Sequence, residues 1–425
     1  MSQTKIITKI ITFLGKYPRE TIYSHNDSTY KGQVFAEALH QFCKYDTMLV
    51  CVTEEAKATT WPLLEALGDA RIKPIDIPTG RTTEEMWETF KIITQYVDED
   101  DRVIFDITHG LRSLPFLVFL FAAYLKAAKN VTIAAIYYGA PELSDSKNNV
   151  PAPVIDLSEF VSMIDWITAT NQFVKIGDGR ELAKLLKSAI PSNSELSEIP
   201  SSRQIRDNLK KSVEAIENIS LALSVTRPIE TMQSATKLEQ LLKEAAPSFA
   251  DRAKPFSLLS DKVVQQYGQF ALENPKDEAA LSENLRLQLQ MIQWYIQKDK
   301  IVQAVTLARE WLVSLLVLSL GLGKYMFDKN KGRKYAEDVL NNAAEHRKPE
   351  DKRRKITATE YDKLFEALPL ANELVNIWNQ MPELRNDIAH CGMNNQPQTA
   401  GRLKEKVVSL SLKFETISKE LLPDK

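Results

Sequence analysis

Cysteine is scarce in these 425 residues: Cys43, Cys51 and Cys391 are the only three, with no CxxC pair and no metal-ligand spacing. That argues against a disulfide framework or a zinc site and fits a reducing, cytoplasmic compartment. An excess of one charge is also missing. The formal net charge is -2, so no global positive field marks a general nucleic-acid binder, and any such contact must be local. Long apolar runs are lacking as well. Residues 114–125 and 312–323 each span 12 uncharged positions, short of the ~20 that cross a bilayer, and read as buried core helices. The N-terminal MSQTKIITKI has no basic region followed by a long apolar stretch, which excludes a secretory signal. Internal repeats and low-complexity tracts are absent.

Alternation of strand-like and helix-like patterns fills the first 140 residues. Strands are expected at 6–14, 47–53, 71–77, 102–108 and 131–138, mostly apolar on both faces, which calls for a sheet covered on both sides. Helical patterns at 33–45, 59–68, 83–97 and 114–129 lie between them. The expectation is a doubly wound parallel sheet of Rossmann type, an α/β unit. The strand ends carry Gly15, Thr53, Gly80, the run from Asp106 to Arg112, and Tyr138-Gly139, all on one edge of such a sheet. In open parallel sheets that edge is where ligands sit.

After a loop at 141–153 and a short strand at 154–157, the periodicity is almost entirely helical. Helices are expected at 203–223, 234–244, 263–272, 278–297, 302–322, 359–379 and 403–421. Residues 191–200 read as a surface connector. A charged loop at 345–355 holds six basic residues between Arg347 and Lys355 against two acids. It reads as a solvated connector, with an RNA-backbone contact as the alternative.

Two stretches carry chemistry. The first, VIFDITHGLRSLPFLVF from Val103 to Phe119, reads as strand, polar turn and helix, with Arg112 and Ser113 at the mouth of a helix N-terminus that offers backbone N–H groups to an anion. A dinucleotide enzyme would need GxGxxG in the first strand–helix turn. The chain has a single glycine there, and no P-loop anywhere. The second stretch is MPELRNDIAHCGM, Met381 to Met393. If it is helical, Asn386 and His390 share a face, Leu384 and Ile388 pack inward on a neighbouring one, and Gly392 ends the helix. Arginine can neutralise a phosphodiester in two-point contact, and histidine can move the proton of a ribose 2′-hydroxyl or of the leaving 5′-oxygen. Arg385 and His390 therefore suffice for metal-independent RNA cleavage, inert on DNA, and two such helices across a two-fold axis would supply separate acid and base. The bland reading is a helix-end ion pair between Arg385 and a nearby carboxylate, with His390 capping the helix.

Taken in order, TFLG, LVCVTEEA with Trp61, IPTG followed by MWETF, VIFDITHGLRSLP and IAAIYYGA resemble the CARF domain of type III CRISPR accessory ribonucleases, and RNDIAH is similar to the HEPN ribonuclease motif. The resemblance implies a CARF sensor at 1–160, a helical connector at 161–290 and an all-α HEPN domain at 291–425. It implies binding of a cyclic oligoadenylate activator, with cyclic tetra-adenylate favoured, by Gly15, Thr53, Asp106, Thr108, His109, Gly110, Arg112 and Ser113. Catalysis would fall to Arg385 and His390, with Asn386 in support and Glu310 near the motif arginine. Tyr137 or Tyr138 could stack an adenine. Single-stranded RNA is the implied substrate, with no cofactor, no metal and no membrane. A homodimer, or an oligomer of dimers, is implied because a cyclic ligand matches a two-fold interface; the sensor pocket could also degrade its own activator. The runner-up is a ligand-responsive transcription regulator that binds DNA without cutting it, for which no basic recognition helix is evident. A Rossmann oxidoreductase is disfavoured by the missing glycines.

Overall fold

The computed structural model describes residues 6–110, 112–145, 148–198, 202–393 and 395–422. The chain forms two compact units, Met1–Asp165 and Trp166–Lys425. The expected connector and HEPN segments thus share one unit.

The first unit contains β1 (Thr8–Phe13), β2 (Thr21–His25), β3 (Ser28–Gly32), α1 (Phe35–Phe42), β4 (Thr47–Val52), α2 (Glu54–Thr59), α3 (Trp61–Glu65), β5 (Ile72–Asp76), α4 (Thr83–Gln95), β6 (Arg102–Asp106), α5 (Leu114–Lys129), β7 (Thr132–Gly139) and β8 (Ala152–Asp156). The sheet order is β3-β2-β8-β7-β6-β1-β4-β5. Five strands, β7-β6-β1-β4-β5, are mutually parallel, as the apolar runs suggested. Period-two alternation then sends neighbouring residues to opposite faces. Ile10, Val50 and Ile104 pack with Phe35, Leu39 and Leu64 on one side, and Ile11, Leu49, Phe105 with Ile93, Val118 and Phe121 on the other. The order turns at β1, flanked by β4 and β6, which is the topological switch point of a doubly wound sheet.

The expectation of a purely parallel sheet is corrected at one end. β8 runs antiparallel to β7, and β2 and β3 form an antiparallel hairpin beyond it. The link after β7 folds back through an Asp145–Val150 bridge and carries no crossover helix among its described residues, so the chain returns antiparallel. The hairpin lies where the sequence reads as a long polar loop. Its signal was present in TIYSHNDSTYKG, two β-forming runs around Asn26, which turns at φ 51°. Residues 59–68, expected as one helix, belong to two short ones, because Thr53 and Pro62 each start a helix.

The second unit is helical, with no strand among its described residues. The helix Ile301–Ser319 is its axis, in contact with Leu281–Gln297, Lys334–His346, Ala371–Ala389 and Ala400–Leu421. Trp311 is fully buried on it, its indole N–H donating to the Leu285 carbonyl at 2.8 Å. Ile301–Ser319 is the one described helix long and apolar enough to cross a membrane; most of it lies in the core of this unit. Helices absent from the sequence expectation are Ser158–Ile176, Arg180–Ser188 and Lys334–His346, and Asn193–Glu198 lies inside the expected connector. Arg180–Ser188 and Lys334–His346 do carry apolar residues at helical spacing, Leu182, Leu185 and Leu186 in the first and Ala336, Val339, Leu340 and Ala343 in the second, which the sequence expectation passed over.

Candidate functional site

A cavity of about 750 Å³ opens at the carboxyl ends of β1, β4, β5 and β6. Of the expected ligand residues, Gly15, Thr53, Thr108, His109, Gly110 and Ser113 line it. Several of their polar atoms are engaged within the protein. Thr53 Oγ1 caps α2 by accepting from Ala56 N at 3.3 Å. Thr108 Oγ1 accepts from Gly139 N at 2.8 Å, tying the β6 loop to the end of β7. His109 Nε2 accepts from Phe35 N at 3.1 Å, satisfying a first-turn donor of α1, which places the imidazole proton on Nδ1. Burial pushes the His109 pKa down, opposed by the nearby Asp106. Gly110 is the residue the turn cannot replace. Its φ is 106°, and an added Cβ would stand 2.5 Å from Leu114 Cδ1.

Asp106 is placed differently from the expectation. It is fully buried and absent from the lining; Oδ2 accepts from Thr12 Oγ1 at 2.6 Å and Oδ1 from Thr108 N at 2.7 Å. Burial pushes its carboxyl pKa up. Asp106 therefore braces the β6 loop from beneath. Arg112 is exposed and lies outside the lining, while Leu111 falls outside the described residues. Tyr137 and Tyr138 are also outside it: Tyr137 packs edge-on to His25, and Tyr138 donates to Glu142 at 2.5 Å.

Sequence reasoning missed Lys16, Tyr17, Glu55 and Arg81, all in the lining. Lys16 pairs with Glu55 at 3.3 Å and lies 5.2 Å from the ring centroid of Tyr17, which is 77% exposed. The Arg81 guanidinium has no ion pair among the described residues. Each follows a strand or caps a helix on the ligand edge, so the rule that named Gly15 and Gly80 could have named them too. Together they offer two cations for phosphate oxygens, an aromatic face for a base and, at Ser113, the open first turn of α5. Among the described residues, no group of three or more His, Cys, Asp or Glu is placed to hold a metal ion.

The second expected centre lies in the helical unit. Ala371–Ala389 carries Leu384 buried and Ile388 half-buried against the core, leaving Arg385 and Asn386 exposed. His390 is the exposed C-cap. The helix closes in a Schellman motif: Cys391 N donates to Ile388 O at 3.1 Å and Gly392 N to Asp387 O at 2.9 Å. Cys391, at φ 54°, makes the left-handed turn one residue before the expected Gly392. No side-chain hydrogen bond or ion pair engages Arg385, Asn386 or His390 among the described residues, so the helix-end ion pair is not formed. Glu310 is committed elsewhere. Its carboxylate accepts from Arg309, at 2.6 Å, and from Arg333, neither of them the motif arginine.

A strand-end cavity in one unit and an exposed arginine–histidine helix end in the other are the two candidate sites. Residues 162–275 match the family model described as CRISPR-associated protein MJ1674, second domain. CRISPR-associated protein MJ1674 of Methanocaldococcus jannaschii (strain ATCC 43067 / DSM 2661 / JAL-1 / JCM 10045 / NBRC 100440) is 30% identical over 125 residues, 29% of this chain and 19% of that protein. The match spans about a fifth of that relative's length. The similarity is thus to a CRISPR-associated protein and is confined to part of this chain. The family-model segment contains none of the expected site residues.

Proposed function

We propose that this chain is a cyclic-oligoadenylate-activated, metal-independent endoribonuclease of type III CRISPR defence. The observation that carries the reading is the helix end at Arg385–His390. It leaves a guanidinium, an amide and an imidazole exposed and uncommitted to internal partners, while Leu384 anchors the same segment in the core. The helix closes through backbone groups alone, so these three side chains remain open to a substrate.

In the proposed reaction a ribose 2′-hydroxyl gives its proton to one imidazole, its oxygen bonds to phosphorus, and the phosphorus–O5′ bond breaks. A second imidazole protonates the leaving O5′, giving a 2′,3′-cyclic phosphate and a 5′-hydroxyl end. Arg385 neutralises the pentacoordinate phosphate, and Asn386 holds a non-bridging oxygen. One helix end has one histidine, so the scheme uses two copies of the chain. The activator occupies the strand-end cavity, with Lys16 and Arg81 toward its phosphates and Tyr17 toward a base. Similarity to a CRISPR-associated protein supports the setting.

The test incubates the purified full chain with labelled RNA and EDTA, adding cyclic tri-, tetra- and hexa-adenylate in turn, and follows both nucleic acids. RNA cleavage with 2′,3′-cyclic phosphate ends, stimulated by one ring size, is the expected result. Duplex DNA binding without any strand scission would favour the transcription-regulator reading.

A further inference from the structure

The helical unit holds a cavity larger than the strand-end one, about 1190 Å³. Its walls are the helices Lys334–His346 and Ala371–Ala389, closed on a third side by residues 354–361. Three aromatic side chains line it. Tyr335 and Tyr361 have ring centroids 5.4 Å apart, tilted by 44°, and Trp378 stands on the other helix. Trp378 is held in position: its indole N–H donates to Asn341 Oδ1 at 3.0 Å, and the Arg309 guanidinium lies 5.4 Å from its ring centroid.

Cations share these walls. Lys348 is paired with Glu345, whereas Lys334, Arg354 and Lys355 are exposed and free of ion pairs among the described residues. Asp338 and Glu360 also line the cavity, so the unpaired cations stand at Lys334 and along the 354–355 rim. Pro382 lies in the middle of its helix and has no N–H to give the Trp378 carbonyl, which leaves an acceptor on that helix outside the hydrogen-bond ladder. Trp378, Pro382 and Arg385 follow at i, i+4 and i+7, one stripe of the helix, and Trp378 precedes Arg385 by about 10 Å of helical rise.

We propose that this groove binds single-stranded RNA, stacking bases on Tyr335, Tyr361 and Trp378 while Lys334, Arg354 and Lys355 track the phosphates, and that it leads the strand to Arg385. What happens at the far end rests on the ribonuclease reading; binding rests on the groove alone. Aromatic stacking beside a cationic track is the physical basis of sequence-tolerant single-strand binding. It also answers how a chain of net charge -2 holds RNA: the attraction is local.

The test is fluorescence anisotropy of a labelled 12-nucleotide single-stranded RNA with the full-length chain across a salt series. Arg354→Glu with Lys355→Glu, both on the surface, is expected to weaken binding at least tenfold and to make the salt dependence shallower by about 1.4 logarithmic units. Tyr335→Ala is expected to weaken it about tenfold at unchanged salt slope. A 4-thiouridine RNA irradiated on the wild-type chain is expected to cross-link to a peptide containing Trp378. Wild-type affinity in the charge-reversed variant, no RNA binding at all, or cross-links confined outside 334–382 overturns the groove. His390→Ala separates the two readings. Cleavage that survives it, alongside weakened binding in the groove variants, sinks the catalytic assignment and keeps the groove; His390-dependent cleavage with unaltered binding in those variants does the reverse.

Discussion

The β6–α5 loop and the C-terminal end of the helix Ala371–Ala389 both carry polar, histidine-containing sequences, and the fold uses them in opposite ways. In the loop, Asp106, Thr108 and His109 take bonds from Thr12, Gly139 and Phe35, so their polar atoms fix the shape of a cavity wall. At the helix end, Arg385, Asn386 and His390 face solvent and only backbone groups are used, in the Schellman closure. A cradle must be rigid before its ligand arrives, because order installed in advance does not have to be supplied by binding. A chemical group must instead stay available. The difference teaches that similar residue types can be spent as scaffold in one place and left open, as the proposed reagent, in another, and burial tells them apart.

The sharpest way to break this contrast is to remove the reagent. His390→Ala is expected to lower RNA cleavage by about 10²–10⁴-fold, read on labelled RNA, while thermal unfolding stays within about 0.5 kcal/mol of the parent. A large fall in stability would show that His390 is structural after all. Removing the scaffold should do the converse. Gly110→Ala forces a Cβ onto a φ of 106° and against Leu114, at an expected cost of about 2–3 kcal/mol in urea unfolding, with loss of activator response.

A smaller effect separates shape from charge at the same wall. Asp106→Ala orphans the Thr12 hydroxyl and the Thr108 N–H and is expected to cost about 1–3 kcal/mol. Asp106→Asn keeps the shape and removes a carboxyl that burial already pushes toward its neutral form, so it should cost clearly less. Equal losses in the two variants would mean that the charge itself is needed. The smallest effect is the control. Asp69 belongs to neither region, and the Arg71 guanidinium beside it holds its carboxyl down to about 2. A folded-state pKa below the ordinary ~3.9 contributes stability above that value and loses it as pH falls toward 2. Asp69→Asn should therefore flatten the acid limb of a stability–pH profile between about 4 and 2 and leave cleavage at neutral pH unchanged.

Much of the α/β unit was legible because buried parallel strands are written as apolar runs: the five expected strands are β1, β4, β5, β6 and β7, within a residue or two at their ends. α5 begins with its apolar run at Leu114 and ends at Lys129, the bounds of the expected helical pattern. The hairpin was harder to read: two β-forming runs flank Asn26, but an edge ribbon half-open to water also uses Thr, Tyr, Ser and Lys, the residues of loops. Lys334–His346 was passed over although legible: Ala336, Val339, Leu340 and Ala343 stand at helical spacing among its charges. At the cavity the chain order named the loops, but not which of their atoms would be free.

Local chemistry therefore settled a good deal without tertiary help: where apolar strands run, where Gly110 must turn, and that Leu384 faces inward while Arg385 and His390 face out. These follow from side-chain period and backbone sterics, which depend only on near neighbours in the chain. Only the fold decided that Asp106 is a brace, that Lys16, Tyr17 and Arg81 meet across strand ends far apart in sequence, and that Glu310 answers to Arg333. Contacts of that kind depend on which distant segments are packed together, and no local pattern contains that information.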